Sequence, residues 1–171
     1  MSQPALKPVR PGEFINAVRF SEIETVKGLL ARGADVNEKD GVGNTALMYA
    51  AGRLNYIEIA RLLIDNGALI NEPATSGNTA LILACAVNNT EMVRFLLGKG
   101  VELDNRNKAG WTAEEIAKSK GYHGLALMIK EAADTRRNLA EEKARREAAH
   151  NLAIERQQRL KKMRPPSPLR P

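Results

Sequence analysis

The chain has 171 residues, of which 43% are apolar and only 4% are aromatic, so there is room for one domain and an appendage. Its single cysteine, Cys85, excludes an internal disulfide and favours a reducing compartment. The N-terminus has no apolar run of signal-peptide length, and no window approaches the length of a membrane span. We therefore expect a soluble, cytoplasmic protein.

The formal net charge of +6 is unevenly distributed. Residues 1–133 contain 15 Lys and Arg residues and 15 Asp and Glu residues, whereas residues 134–171 contain 11 basic and 5 acidic residues. All of the excess positive charge therefore lies in the C-terminal segment. The basic character of the whole chain says nothing about residues 1–133.

Residues 1–12 contain three prolines and little to bury, which predicts a flexible leader. The next segment, 13–39, predicts two short helices. The second of them is expected to end at Gly33, where a left-handed backbone is least costly without a Cβ. Ser21 is predicted as the N-cap of the second helix, with Glu24 completing a capping box. Apolar residues at helical spacing mark this second helix: Ile23, Val26, Leu29 and Leu30.

Two consecutive segments, 40–72 and 73–106, are near copies of each other. Each opens on a Gly-Asn-Thr-Ala-Leu motif, which begins at Gly43 and at Gly77, and each continues with residues that predict two short amphipathic helices. We expect the glycine to allow a tight turn and the threonine to cap the first helix. A period of about 33 residues indicates a repeat architecture, in which stacked units bury a shared core.

The repeated motif resembles that of the ankyrin repeat, G-x-T-P-L-H-x-A-A followed by a second helix and G-A-D-V-N. The resemblance covers residues 13–133 and implies an all-α solenoid of helix–turn–helix pairs joined by β-hairpin loops, here followed by a long C-terminal helix. The chain departs from the motif where Ala46 replaces the proline. Met48 and Ile82 replace a histidine that hydrogen-bonds between repeats in the family, so we expect more purely apolar packing.

The two end units differ from the motif as end units should, because one face of each has no neighbouring repeat. Segment 13–39 lacks the G-x-T-P-L opening and is interpreted as an N-terminal capping repeat. Segment 107–133 keeps Gly110 and Thr112 but then becomes polar, and it is interpreted as the C-terminal cap. Its charged residues are expected to face outward and its apolar residues inward: Ile116, Ala117, Leu125, Met128 and Ile129.

Residues 134–164 are predicted to form a basic charged helix, because no glycine or proline interrupts 125–164 and good helix formers fill it. Its apolar face is too thin to predict a coiled coil. The last residues, 165–171, are predicted to be a disordered, proline-rich end. Ion pairs in the favoured i, i+4 orientation are expected along the helix: Glu141–Arg145, Glu142–Arg146 and Glu155–Arg159.

The motifs of known enzyme sites are absent from the sequence. His123 and His150 lie in different segments and fit no metal-binding spacing. Cys85 takes a helix position expected to be buried, where a thiol is inert. Residues 41–43 belong to a hairpin and not to a phosphate loop, because no Lys-Ser/Thr follows them at the required spacing. We therefore expect no catalytic activity, no cofactor and no metal.

The resemblance implies a protein-binding surface, because hairpin tips and first helices line a concave face in this family. Trp111 is the strongest candidate, since tryptophan is the residue type most enriched at binding hot spots; packing on the neighbouring hairpin is the alternative. Tyr49 is a weaker candidate on a first helix. The other positions are hairpin tips or the ends of first helices: Val42, Asn44, Arg53, Thr75, Ser76, Asn78, Ala86, Val87 and Lys108.

The favoured function is a non-catalytic interaction module or adaptor, monomeric, that binds a partner protein through this face. In the alternative, the basic helix 134–164 binds a partner helix, nucleic acid or an anionic surface, or mediates oligomerisation. Against nucleic acid, the tail has no aromatic residue for stacking on bases, and glutamates interrupt its positive charge. A third hypothesis is that Pro165 and Pro168, in a P-x-x-P motif, dock in an aromatic groove such as that of a Src-homology-3 domain.

Overall fold

The computed structural model describes residues 8–162, in which eight helices and no strand are formed. The predicted all-α class is therefore confirmed. The first seven residues of the leader and the proline-rich end at 165–171 lie outside the described residues. The helices are α1 (Glu13–Arg19), α2 (Ile23–Ala31), α3 (Ala46–Ala51), α4 (Ile57–Asp65), α5 (Ala80–Ala86), α6 (Thr90–Gly98), α7 (Ala113–Ser119) and α8 (His123–Lys162).

The helices up to Lys130 stack as pairs. The first helices pack on one another in chain order, α1 on α3, α3 on α5 and α5 on α7. Helices α1, α3 and α5 also pack against the second helix of their own pair. Alanines at these contacts, among them Ala50, Ala51 and Ala84, are fully buried and let the helix backbones approach closely. This arrangement is a solenoid, in which each unit contacts its neighbours.

One apolar core runs through the stack, from Phe14 to Ile129. Met48 and Ile82, which replace the histidine of the motif, are buried within it. In the last pair, Ala117 and Leu125 are buried as well, while Ile116 and Met128 pack on the core from its edge. The predicted inward face of the C-terminal cap is therefore confirmed.

The packing between repeats also contains a polar residue that the sequence did not predict, Asn89, which is only 4% exposed. Its side-chain oxygen accepts a hydrogen bond of 3.1 Å from the N–H of Met92 and so caps α6. Its amide nitrogen donates to the carbonyl of Arg53 at 2.7 Å and to that of Ala51 at 3.5 Å. The last carbonyls of α3 have no partner within the helix. The Asn89 side chain bonds to this end of α3 and so makes a polar link between the two repeats.

Two more asparagines connect the loops that follow the second helices. Asn37 donates to the carbonyl of Gly67 at 3.1 Å and accepts a hydrogen bond of 2.8 Å from the N–H of Leu69. Asn71 accepts a hydrogen bond of 2.9 Å from the N–H of Glu102 in the next unit. Each asparagine therefore satisfies a loop amide that would otherwise need water.

The hairpin tips are joined directly by their backbones. The N–H of Thr75 donates to the carbonyl of Val42 at 3.2 Å, and the N–H of Lys108 donates to that of Ser76 at 2.9 Å. The predicted β-hairpins are minimal, since pairing within the described residues is limited to an isolated antiparallel bridge between Lys39 and Thr45. The tips of three successive units thus form one hydrogen-bonded row.

The predicted cap at Ser21 is wrong. Helix α2 has Glu22 as its N-cap residue, and no side-chain hydrogen bond caps it. Ser21 instead has a left-handed backbone with φ of 59°. Asn55 and Asn88, at φ of 65° and 56°, take the corresponding place between the helices of the next two units. The turn therefore needs a residue that tolerates positive φ, and this need overrides the local capping pattern.

Substituting Ser21→Asn should raise the free energy of unfolding by about 0.5 kcal/mol, because asparagine adopts the left-handed conformation more readily than serine. Chemical denaturation would measure the change, with Ser21→Ala as the control that keeps the strain. A Ser21→Asn protein no more stable than the Ser21→Ala protein would contradict the prediction.

A second unit begins at Glu131 and continues as helix to Lys162, so the predicted long C-terminal helix is confirmed as far as the structure describes it. The Glu142–Arg146 pair forms at 2.5 Å. Among the described residues, the other two predicted ion pairs, Glu141–Arg145 and Glu155–Arg159, do not form. Pairs that the sequence did not predict form instead: Asp134–Arg137 at 2.7 Å and Lys143–Glu147 at 3.9 Å. No helix in the described part of the chain is long and apolar enough to cross a membrane.

Candidate protein-binding surface

Threonine caps fix the junction between each hairpin and its first helix. The hydroxyls of Thr45 and Thr79 each accept a hydrogen bond of 3.4 Å from the backbone N–H three residues later. Thr112 forms a full capping box with Glu115, with bonds of 3.3 Å and 2.8 Å. The hydrogen bond from the Thr112 backbone holds the pKa of Glu115 below its ordinary value. These caps set the direction in which the first helices leave the hairpins.

Three hollows lie side by side along the hairpins and the first helices. The first, about 300 Å³, lies between the second and third units. The central one, about 580 Å³, lies over the hairpin tips. The last, about 310 Å³, lies between the third and fourth units. Leu83 lines all three, so they form one continuous surface, which we call the hairpin surface.

The structure places ten of the eleven predicted binding residues around these hollows. Asn44, Tyr49 and Arg53 line the first hollow, and Asn78, Ala86 and Trp111 line the last. Val87 is exposed but lines none of the three. The tips around the central hollow are Val42, Asn44, Thr75, Ser76, Asn78 and Lys108.

Leu83, at the centre of the hairpin surface, was not predicted from the sequence. It lies four residues after the capping Thr79, and Tyr49 and Ile116 lie four residues after their own capping threonines. These three residues therefore occupy one position of the repeat and recur along the hairpin surface. Comparing this position between units would have identified Leu83 and Ile116 from Tyr49. Other lining residues that were not predicted are Met48, Gly52, Ile82, Asn107, Ser119 and Lys120.

The Tyr49 ring is held in place on both sides. Its hydroxyl donates a short hydrogen bond to the carboxylate of Asp40, and the Arg19 guanidinium lies 5.2 Å from its ring centroid. Burial tends to raise the pKa of Asp40, but hydrogen bonds from Tyr49 and from the Asn44 and Val42 amides outweigh it, so the net pKa is lowered. The bond to Asp40 raises the pKa of Tyr49. The ring is therefore a rigid, neutral wall of the first hollow.

Arg53 is held beside the same hollow by an aromatic neighbour. Its guanidinium lies 5.7 Å from the Tyr56 ring centroid and donates to the Tyr56 hydroxyl at 3.4 Å. That hydroxyl in turn donates to the carbonyl of Arg19 at 3.2 Å. The cation is thus oriented without a carboxylate, and its charge is not neutralised by these contacts.

Trp111 combines a fixed backbone with an indole that is 44% exposed. Its N–H donates to the side-chain oxygen of Asn107, and its carbonyl accepts from the Asn107 N–H, both at 3.0 Å. The Asn107 side chain also donates to that of Asn78 at 3.0 Å. The indole lines the last hollow beside Ile116 and Lys120. It is therefore a partly exposed aromatic side chain on a rigid loop.

Two features of the described residues bear on chemical activity, the placement of potential metal ligands and the state of the thiol. No cluster of three or more His, Cys, Asp and Glu residues in this range is arranged to hold a metal ion. Cys85 lies in the core as predicted, and burial raises its pKa to about 12. Its thiol is therefore protonated at neutral pH and shielded from solvent.

Comparison with protein families agrees with the stacked helix pairs. A family model described as ankyrin repeats (3 copies) matches residues 14–107 and 55–138. A search among curated proteins gave no match. Ankyrin repeats are generally protein–protein interaction modules and are typically not catalytic. The matched residues span most of the chain, which therefore belongs to the ankyrin-repeat family.

Proposed function

We propose that this chain is a non-catalytic interaction module that binds a partner protein through the hairpin surface. The observation that carries the proposal is the continuity of the three hollows at Leu83, between Tyr49 at one end and Trp111 at the other. Binding interfaces combine a central apolar patch with a polar rim. The hairpin surface combines both, because the apolar side chains of Leu83 and Trp111 lie beside hairpin tips that carry amides and hydroxyls.

The anchors of the proposed interface are Leu83 and Trp111. Leu83 is half-buried at the centre, and Trp111 offers a large apolar area on a fixed backbone, so little entropy is lost when it binds. Asn44 and Asn78 lie beside them and can donate to or accept from a partner backbone. The surface is therefore suited to an extended segment or a loop of another protein.

The double substitution of Trp111→Ala and Arg53→Ala should weaken partner binding by at least about tenfold, because interface energy concentrates in a few aromatic and arginine residues. Both side chains are exposed, so the melting temperature should change little. Full-length protein would first capture partners from a lysate. Calorimetry would then measure the affinity of the captured partner for the double mutant and for the unmodified chain.

The matched control for this experiment is Leu69→Ala with Arg94→Ala, which removes an exposed apolar and an exposed basic side chain away from the hollows. Undiminished binding by the Trp111 and Arg53 double mutant, or an equal loss in the control, would reject the hairpin surface as the interface. A partner captured by the full chain but lost on truncation after residue 133 would instead assign binding to the C-terminal helix.

A further inference from the structure

The charged side chains that line the three hollows are all basic. They are Arg53 in the first hollow, Lys108 in the central one and Lys120 in the last. None of the described residues that line these hollows is acidic. Residues 1–133 contain equal numbers of basic and acidic residues, so this one-sided charge is a local property of the hairpin surface.

These three cations form no ion pair with any of the described residues. Some basic side chains elsewhere in the repeats are paired, for example Lys27 with Glu24 at 2.8 Å and Lys118 with Glu114 at 2.6 Å. The Arg53 guanidinium donates to the Tyr56 hydroxyl and lies beside the Tyr56 ring. The positive charge along the hairpin surface is therefore available to a ligand.

Two acidic residues close to the hollows are already engaged. The Asp40 carboxylate accepts hydrogen bonds from Tyr49 and from the amides of Val42 and Asn44. Glu115 pairs with Arg106 at 2.9 Å and closes the Thr112 capping box. Neither carboxylate forms an ion pair with any of the three cations.

We propose that the hairpin surface binds an acidic segment of a partner protein. This rests on the proposed function and adds the chemistry of the ligand. Carboxylates of the segment pair with Arg53 in the first hollow, Lys108 in the central one and Lys120 in the last. An apolar side chain of the segment packs on Leu83 and Trp111. The same charge argument excludes this chain's own C-terminal segment as the ligand, because residues 134–171 carry 11 basic and 5 acidic residues.

Selection from a random peptide display library on the immobilised full-length chain tests this proposal. The enriched peptides should have a net negative charge and at least one apolar residue. Fluorescence anisotropy of a labelled enriched peptide should show affinity that falls about tenfold in the triple variant R53Q, K108Q and K120Q. It should also fall as ionic strength rises from about 50 to about 300 mM, as charge pairing requires.

The matched control is the triple variant R61Q, R94Q and K130Q, which removes the same charge from exposed positions outside the three hollows. It should bind the peptide like the unmodified chain. This control separates pairing on the hairpin surface from attraction to the overall positive charge, including that of the C-terminal helix.

The remaining outcomes separate this proposal from the proposed function. Enriched peptides that are neutral or basic, yet are lost on Trp111→Ala, would overturn the acidic ligand and leave the hairpin surface as the binding site. Acidic peptides that bind the Trp111→Ala variant and the R53Q, K108Q and K120Q variant as tightly as the unmodified chain would overturn both proposals. Displacement of the peptide by single-stranded RNA, with RNA binding lost in the same triple variant, would overturn the acidic segment in favour of nucleic acid.

Discussion

Substituting Gly77→Ala should lower the free energy of unfolding by about 3 kcal/mol, the sum of backbone strain and overpacking. Gly77 has φ of +76°, which an L side chain rarely adopts. A Cβ there would lie 2.9 Å from the Cα of Asn107 and 2.9 Å from the N of Lys108. Both atoms belong to the backbone of the next hairpin, so relieving the overlap requires the two tips to separate. Chemical denaturation would measure the loss.

Gly43 and Gly110 provide the matched comparison. A Cβ on Gly43 would lie 2.7 Å from the N of Thr75, so Gly43→Ala should cost as much as Gly77→Ala. Gly110 has the same kind of backbone, with φ of +82°, but nothing lies within 4 Å of its Cβ position. Gly110→Ala should therefore cost only about 1 kcal/mol. Equal losses of stability at all three glycines would show that the close contact between hairpin tips adds nothing to the cost of the substitution.

Substituting Asn89→Ala should cost about 2 to 3 kcal/mol, because it removes a helix cap and leaves buried carbonyls without a donor. The Asn89 side chain caps α6 and donates to the end of α3 in the preceding unit. Asn89→Asp keeps the capping acceptor but loses the donor, and it places a carboxylate against carbonyl oxygens. It should therefore be destabilised as well, with a loss that grows as the carboxyl ionises at higher pH. Unfolding by denaturant at two pH values would measure both effects.

Asn66→Ala is the control for Asn89. Asn66 also donates from its side chain to a helix carbonyl, that of Leu62, at 2.8 Å, but it is exposed. Water can replace this bond, so the loss should stay below about 0.5 kcal/mol. A loss at Asn89 no larger than the loss at Asn66 would mean that the link between repeats adds no stability.

The features that the sequence predicted are those determined within one unit. Thr45 caps α3 because its own motif places a hydroxyl three residues before an orphan amide. Gly33 ends its helix with φ of +81° because the chain must reverse there. Ser21 shows the limit of local reasoning, since its pattern fits a cap, but the turn between the helices requires a left-handed residue.

The features that the sequence did not predict depend on contacts between units. Asn89 looks like an ordinary turn residue until the end of α3 is placed against it. The one-sided charge around Lys120 and Arg53 appears only once three units are stacked, because the two residues are 67 positions apart in a region without net charge. The binding role of the tip residues was inferred from their place in the motif, and it stays a prediction that the mutants above can test.

If the hairpin surface binds a ligand as proposed, the docking of neighbouring units couples that binding to folding. Each hollow of the hairpin surface is lined by residues of at least two units, so it exists only while those units are docked. If one unit opens in a fraction of molecules, the apparent affinity falls by that fraction, even when the opened residues never touch the ligand. Conversely, a bound ligand favours the state in which the units are docked, by mass action. A destabilising substitution at a buried site such as Ala84 should therefore unfold a smaller fraction of molecules in the presence of a ligand than in its absence.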